Sequence, residues 1–351
     1  MKEIIIDNTV ISEKHSPYII AEIGANHNGD MDLAFNMIDQ AVKCGVNAVK
    51  FQSWTKDSLF SKRQFESGTQ AVSNENTQNS LLDQVNKYSL SYENIEKIYD
   101  YCNKKNVTFL SSVFSADEVD YLDKLGMPAF KIASMDINNL ILLEKIATKN
   151  KPVLLSTGMS DMNEIIKAIK ILESNGSGPI ILFHTVSTYP PDDSELNLKN
   201  IQMFKQKFDF IIGFSDHTLG IAAPLAAIAI GALVIEKHFT TDKSLDGWDH
   251  QMSTTPDDFK IIVQEGKRIK NHLGVFERNL SREELNLKPI FRRSIVASKD
   301  LGKGTILSLS DINFKRPGDG IPPDKYKNVI GKKINCDKKY DDPILFSDFC
   351  K

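Results

Sequence analysis

FDFIIGFSDHTLGIAAPLAAIAIGALVIEKHFT, residues 208–240, contains two short apolar runs, each closed by a histidine, with an alanine-rich stretch between them. FIIGFSDH and LVIEKHFT are continuous in β-branched and aromatic residues, the pattern of strands buried on both faces. IAAPLAAIAIGA between them reads as a helix, so the unit is strand–helix–strand and its strands run parallel. His217 and His238 then end consecutive strands. The longest apolar run, IAAPLAAIAIGALVIE, contains Pro224 and falls short of the ~20 residues a membrane span needs.

The alternation repeats along the chain. YIIAEIG, NAVKFQS, VTFLSSV, AFKIAS, PVLLSTG and PIILFHTVS are further strand candidates. Amphipathic stretches such as MDLAFNMIDQAVKCG, YENIEKIYDYCNKK and NEIIKAIKILESNG lie between them. Eight buried strands with helical crossovers in roughly 250 residues predict an α/β fold, the (β/α)8 TIM barrel. A doubly wound open sheet would want GxGxxG after its first strand, and EIGANHNGD does not supply it. The barrel is assigned to residues 1–274, with a long polar insertion at 54–90 after the second strand. A charged linker at 275–290 (VFERNLSREELNLKPI) leads to residues 291–351, where short strands and Gly/Pro turns predict a small β-rich domain.

Composition excludes several classes. The 351 residues are 41% hydrophobic and 25% charged with a net charge of −3, which favours neither nucleic acid nor a membrane surface as partner. The amino terminus, MKEIIIDNTVISEKHS, lacks the apolar block of a signal peptide. Cys44, Cys102, Cys336 and Cys350 form neither a CxxC pair nor a zinc spacing, so they are read as reduced thiols of a cytoplasmic protein.

In a barrel the carboxyl ends of the strands converge on one mouth, so their polar residues form a set. In chain order they are Glu22, Asn26 and His27; Lys50 and Gln52; Ser111 and Ser112; Lys131 and Ser134; Ser156 and Thr157; His184, Ser187 and Tyr189; Ser215, Asp216 and His217; Glu236 and His238. Lysine inside an apolar strand (AVKFQ, AFKIA) is costly unless its charge is paired. Two such lysines beside hydroxyls suit a phosphate or carboxylate, although a structural ion pair would also hold them. His217 and His238 are either satisfied core histidines or two ligands of one ion, the second being an open site suited to Zn, Mn, Fe or Co.

EIGANHNGD, VKFQS, FKIAS, LLSTGM, TYP, GFSDHT, VIEKHF and GWDH, in this order, resemble the N-acetylneuraminate (sialic acid) synthase family. FRRSIVASKDLGKGTILSLSDINFKRPGDGI resembles that family's antifreeze-like (SAF) domain. The resemblance implies metal-dependent condensation of phosphoenolpyruvate (PEP) with an N-acetylmannosamine-type sugar, giving a nine-carbon 2-keto-3-deoxy acid and phosphate. It implies His217 and His238 as metal ligands, with Mn2+ first and Mg2+ or Co2+ as alternatives. Lys50 and Lys131 match the lysines that neutralise PEP, helped by the hydroxyls of Ser112, Ser134, Ser156 and Ser215. Glu22 and Glu236 match the active-site carboxylates, and Ser187, Tyr189 and Asp249 fall at substrate-contacting positions. Arg316 matches an arginine by which the SAF domain caps the partner's active site in a swapped homodimer.

Three departures bear on the sugar. HTVSTYP is nearer to pseudaminic acid synthases than to the sialic and legionaminic branches, LDGWDHQMS carries Trp248 where a GPD element is usual, and the third strand reads SSVF rather than STPF. Sialic, legionaminic, pseudaminic and related precursors all stay open. Condensation of PEP with a phosphorylated aldose, as in octulosonate or heptulosonate phosphate synthases, is the nearest alternative, but it leaves the SAF domain without a role. An ice- or polysaccharide-binding protein would need a flat repeated Thr or Ala array, and none is visible.

Overall fold

The computed structural model describes residues 2–67 and 80–349. The chain forms two compact units, Met1–Gly274 and Val275–Lys351. Unit one opens with a hairpin, β1 (Glu3–Ile6) and β2 (Thr9–Ser12). Eight parallel strands follow: β3 (Tyr18–Gly24), β4 (Ala48–Gln52), β5 (Thr108–Ser112), β6 (Phe130–Ile132), β7 (Val153–Ser156), β8 (Ile180–Thr185), β9 (Ile211–Asp216) and β10 (Val234–His238). They close into a barrel in which each strand pairs with its chain neighbours and β10 returns to β3. The expected TIM barrel is present.

The period of two along each strand sorts its residues into inner and outer layers. Outward residues such as Val49, Phe51, Phe130, Ile132, Phe214 and Ile235 join the buried faces of the surrounding helices in one core. The helix Met31–Cys44 shows how those faces arise. Asp30 caps it by accepting from the backbone N–H groups of Asp32 and Leu33, and Gly45 (φ 83°) ends it in a left-handed turn. Its buried residues Ala34, Met37, Ile38 and Ala41 recur at spacings of three and four.

Inward residues at the amino ends of the strands, among them Ile20, Ala48, Leu110, Leu154, Phe183 and Val234, fill the barrel floor. The hairpin's Ile4, Ile6 and Ile11 belong to the same cluster and plug that end. A Cβ on Gly213 of β9 would lie 2.7 Å from the Phe183 ring, so only glycine lets that ring lie across the floor. Above this apolar layer the inward positions turn polar.

Unit two has its own small core of Ile295, Ala297, Leu301, Leu307, Ile312, Ile321, Val329, Ile334 and Ile344. Its regular strands are one antiparallel pair, β11 (Ser294–Ala297) and β12 (Ile312–Lys315), and isolated bridges and short helical turns supply the rest. Within the stretch read as a linker, Arg282–Phe291 forms a helix, capped by a reciprocal Ser281–Glu284 box. The 54–90 insertion contains the helices Lys56–Leu59, Lys62–Ser67 and Leu81–Tyr88, and its residues 68–79 lie outside the described ones. Among the described residues no helix is long and apolar enough to cross a membrane.

Candidate active site

Strand register sets the site. Glu22 on β3 lies level with Lys50 on β4 and His238 on β10, Ser112 on β5 level with Lys131 on β6, and Ser215 on β9 level with Glu236 on β10. All these side chains point inward, just above the floor, and line one cavity of about 400 Å3 at the carboxyl ends of the strands. Ser134, Ser156, Ser187, Tyr189, His217 and Asp249 line it too. Every proposed site residue of the barrel is therefore in one place. Arg316 belongs to unit two, where its guanidinium lies 5.2 Å from the centre of the Phe291 ring.

Two lysines and two glutamates form the centre. Lys50 Nζ is 2.7 Å from Glu22 Oε2 and 3.7 Å from Glu236 Oε1, and it donates to Ser112 Oγ at 3.0 Å. Lys131 Nζ is 3.3 Å from Glu236 Oε1 and lies above the Phe183 ring. Ser215 Oγ donates to Glu236 at 3.1 Å, and Gln52 Nε2 to Glu22 at 3.0 Å. The environments separate the two carboxyls. Burial, reinforced by the charge of Glu236, holds Glu22 above its ordinary value despite Lys50. Burial also works against ionised Glu236, but Lys131 and Lys50 outweigh it and hold that group below its ordinary value. Burial depresses Lys131, with Lys50 adding repulsion. The site thus pushes the two carboxyls in opposite directions, Glu22 towards keeping its proton and Glu236 towards staying ionised.

The histidines complete the cavity. His217 Nδ1 donates to the Val186 carbonyl at 2.7 Å, which leaves the lone pair on Nε2, 3.0 Å from the Tyr189 hydroxyl. The two imidazole centroids are 5.6 Å apart. Burial takes His217 down to about 4 and His238 well below the usual range, so both rings are neutral, the form that binds a metal. His238 Nδ1 is buried without a hydrogen-bond partner, 3.6 Å from Asp249 Oδ2. This donor set fits an open divalent site with two imidazoles. Among the described residues no group of three or more His, Cys, Asp or Glu is arranged to hold an ion.

Further buried polar atoms here lack a protein partner: Ser156 Oγ, Thr185 Oγ1 and Glu236 Oε2. Such atoms are costly unless a ligand or water meets them. Thr185, Gln52, Trp54 and Phe60 also line the cavity. Thr185 and Gln52 carried a signal in the sequence, being polar residues that end strands, and Trp54 and Phe60 carried none. Other strand-end residues point elsewhere. Asp216 faces outward and receives Lys237 at 2.5 Å, His184 bonds the Leu196 carbonyl, and Asn26 ties the Phe239 carbonyl to Ser253.

Known proteins resemble this chain over most of its length. The NeuB family model matches residues 37–278, and the SAF domain model matches residues 292–349. An uncharacterised protein of Methanocaldococcus jannaschii is 40% identical over 99% of both chains. The N,N'-diacetyllegionaminic acid synthase of Campylobacter jejuni is 39% identical, covering 93% of this chain and 98% of its own. Among solved structures, N-acetylneuraminic acid synthetase from Leptospira borgpetersenii serovar Hardjo-bovis, in complex with citrate, is 35% identical with a TM-score of 0.74, covering 81% of this chain and 94% of that one. The chain belongs to the NeuB family and carries an SAF domain after its barrel.

Proposed function

We propose that the protein is a nonulosonic acid synthase that condenses PEP with an acylated amino sugar to give a nine-carbon 2-keto-3-deoxy acid and phosphate. One observation carries the reading. Two lysines, two carboxyls of opposite protonation preference, a set of hydroxyls and two neutral histidines share one cavity at the barrel mouth. Lys50 and Lys131, with Ser112, Ser134, Ser156 and Ser215, bind the PEP carboxylate and phosphate. A divalent ion, Mn2+ with Mg2+ or Co2+ as alternatives, would be held by His217 and His238 and would supply Lewis acidity towards the sugar's aldehyde oxygen.

The chain's own groups orient and move protons. The PEP methylene carbon bonds to the aldehyde carbon, water adds to the resulting cationic carbon, and the tetrahedral adduct expels phosphate. Ionised Glu236, close to both lysines, is suited to take the proton from the attacking water, and Glu22, biased by burial towards its protonated form, is suited to exchange a proton with the substrate. Tyr189 and Asp249 orient sugar hydroxyls. Arg316 reaches the sugar end of a partner subunit's site, a role supported by the KRPGDG resemblance.

The test is phosphate release from PEP with Mn2+ and a panel of acylated hexosamines, with the product identified by mass. A product equal in mass to the sugar plus pyruvate is expected. Release only with phosphorylated aldoses would replace this reading by an octulosonate- or heptulosonate-type condensation.

A further inference from the structure

In unit two the strand pair, the end of the helix Arg282–Phe291 and the KRPGDG turn form one piece around Ser294. Ser294 opens β11 just after that helix and pairs in register with Lys315, the last residue of β12. Arg316 follows at once, and the chain folds back so that the Ile295 N–H donates to the Ile321 carbonyl at 2.8 Å. Ser294 is 1% exposed. Its hydroxyl donates to the Pro317 carbonyl and accepts from the Gly320 N–H, each at 2.8 Å, so one side chain spans the turn. The Gly318 N–H donates to the Pro289 carbonyl at 2.7 Å, one of the carbonyls that a helix end leaves without an intrahelical partner. A Cβ on Gly318 would lie 2.7 Å from Arg292 Cβ, so only glycine lets the turn approach the helix end this closely. Among the described residues no carboxylate pairs with Arg316, and its guanidinium lies over the Phe291 ring.

From this we propose that Ser294 and Phe291 are positioning residues for Arg316: Ser294 fixes the backbone that carries the arginine, and Phe291 holds its guanidinium by a cation–π contact. The inference rests on the proposed role of Arg316 at the sugar end of the site and adds the groups on which that role depends. An exposed arginine has many rotamers, and binding through it costs the entropy of choosing one. A turn locked across its backbone and a ring against the guanidinium remove part of that cost before the sugar arrives. The choice of a ring matters too. A carboxylate partner would consume the N–H donors of the guanidinium, whereas a ring engages the cation through its charge and leaves those donors for sugar oxygens.

The experiment measures the KM for sugar and for PEP in the full chain with Mn2+, using the acylated hexosamine turned over best in the panel above. Phe291→Leu should raise the sugar KM about two- to fivefold and leave the PEP KM unchanged, and Phe291→Tyr, which keeps the ring, should restore it. Ser294→Ala, which loses both turn contacts, should raise the sugar KM about tenfold. In an Arg316→Ala background neither substitution should add to the loss. Phe291 is 53% exposed, so Phe291→Leu keeps the fold and carries the test if Ser294→Ala unfolds unit two. An unchanged sugar KM in Phe291→Leu, an equal rise in the PEP KM, or full additivity with Arg316→Ala overturns the inference while leaving the role of Arg316 standing. Arg316→Ala without effect on the sugar KM, or no turnover of any sugar in the panel, overturns both.

Discussion

Lys131→Met separates PEP binding from fold stability. The ammonium is buried, and the nearest protein charge is Glu236 at 3.3 Å. A charge-assisted contact in such a place contributes about 1.5–3 kcal/mol, or roughly 10- to 100-fold in Kd. PEP at 100 times its Kd stabilises the wild type by about 2.7 kcal/mol. The same concentration would stabilise the variant by only about 0.4–1.4 kcal/mol. With an unfolding entropy of about 2.1 cal/mol/K per residue, a unit spanning residues 1–274 shifts its Tm by roughly 2 °C per kcal/mol. PEP with Mn2+ should therefore raise the wild-type Tm by about 5 °C and that of Lys131→Met by about 1–2 °C. The assay is thermal unfolding of both proteins with Mn2+ throughout. Lys205→Met is the control, because Lys205 lies in a cleft at the opposite end of the barrel, beside Glu13. It should shift as the wild type does. Equal shifts in wild type and Lys131→Met would refute the assignment of Lys131 to the PEP anion.

Chelation with EDTA should stop phosphate release and Mn2+ should restore it; His217→Ala and His238→Ala should each weaken Mn2+ binding at least about tenfold by calorimetry, and full activity in metal-free protein would exclude the metal role. A Cβ on Gly158 would lie 2.1 Å from Ser187 Oγ and 2.8 Å from Ser134 Oγ, so Gly158→Ala should displace the Ser134 hydroxyl and raise the KM for PEP about tenfold or more, and an unchanged KM would place that hydroxyl outside the PEP site. Arg316→Ala and Lys131→Met subunits, unfolded and refolded together, should regain activity through one intact composite site per heterodimer; proven exchange without recovery would mean that Arg316 acts within its own chain or not at all. In unit two, Lys299 and Ser308 hold Asp311 at about 2, below its ordinary 3.8. Its contribution is present above the ordinary value and is lost as pH falls through about 2, so the Tm deficit of Asp311→Asn at pH 6 should shrink towards pH 3, and a deficit independent of pH would contradict the pairing.

The barrel was legible because its strands are buried on both faces and stand out as apolar runs. YIIAEIG coincides with β3, and the polar residues breaking these runs mark the mouth. Parity explains the misdirected residues. Asp216 reads as a mouth residue in the sequence, but it lies one position out of phase with the inward Ser215, as Lys237 does with Glu236, and the two pair outside the barrel. The hairpin went unread although Asp7–Asn8 sits between two β-branched runs; Asp7 takes φ 53°, as a tight turn requires. In the insertion, a polar average concealed Val85 and Tyr88, whose spacing of three puts them on one buried helix face. No local pattern announces that Trp54 and Trp248 will meet, because 193 intervening residues separate them.

The hairpin plug has a kinetic consequence. With the floor sealed by Ile4, Ile6 and Ile11, molecules come and go through the mouth. Lys50 and Lys131 stand at strand level, and Trp54, Asp249 and Trp248 on the loops beyond it. On the proposed reaction a sugar already seated at the loops would bar PEP from the lysines. Turnover is then a queue in which PEP enters ahead of the sugar.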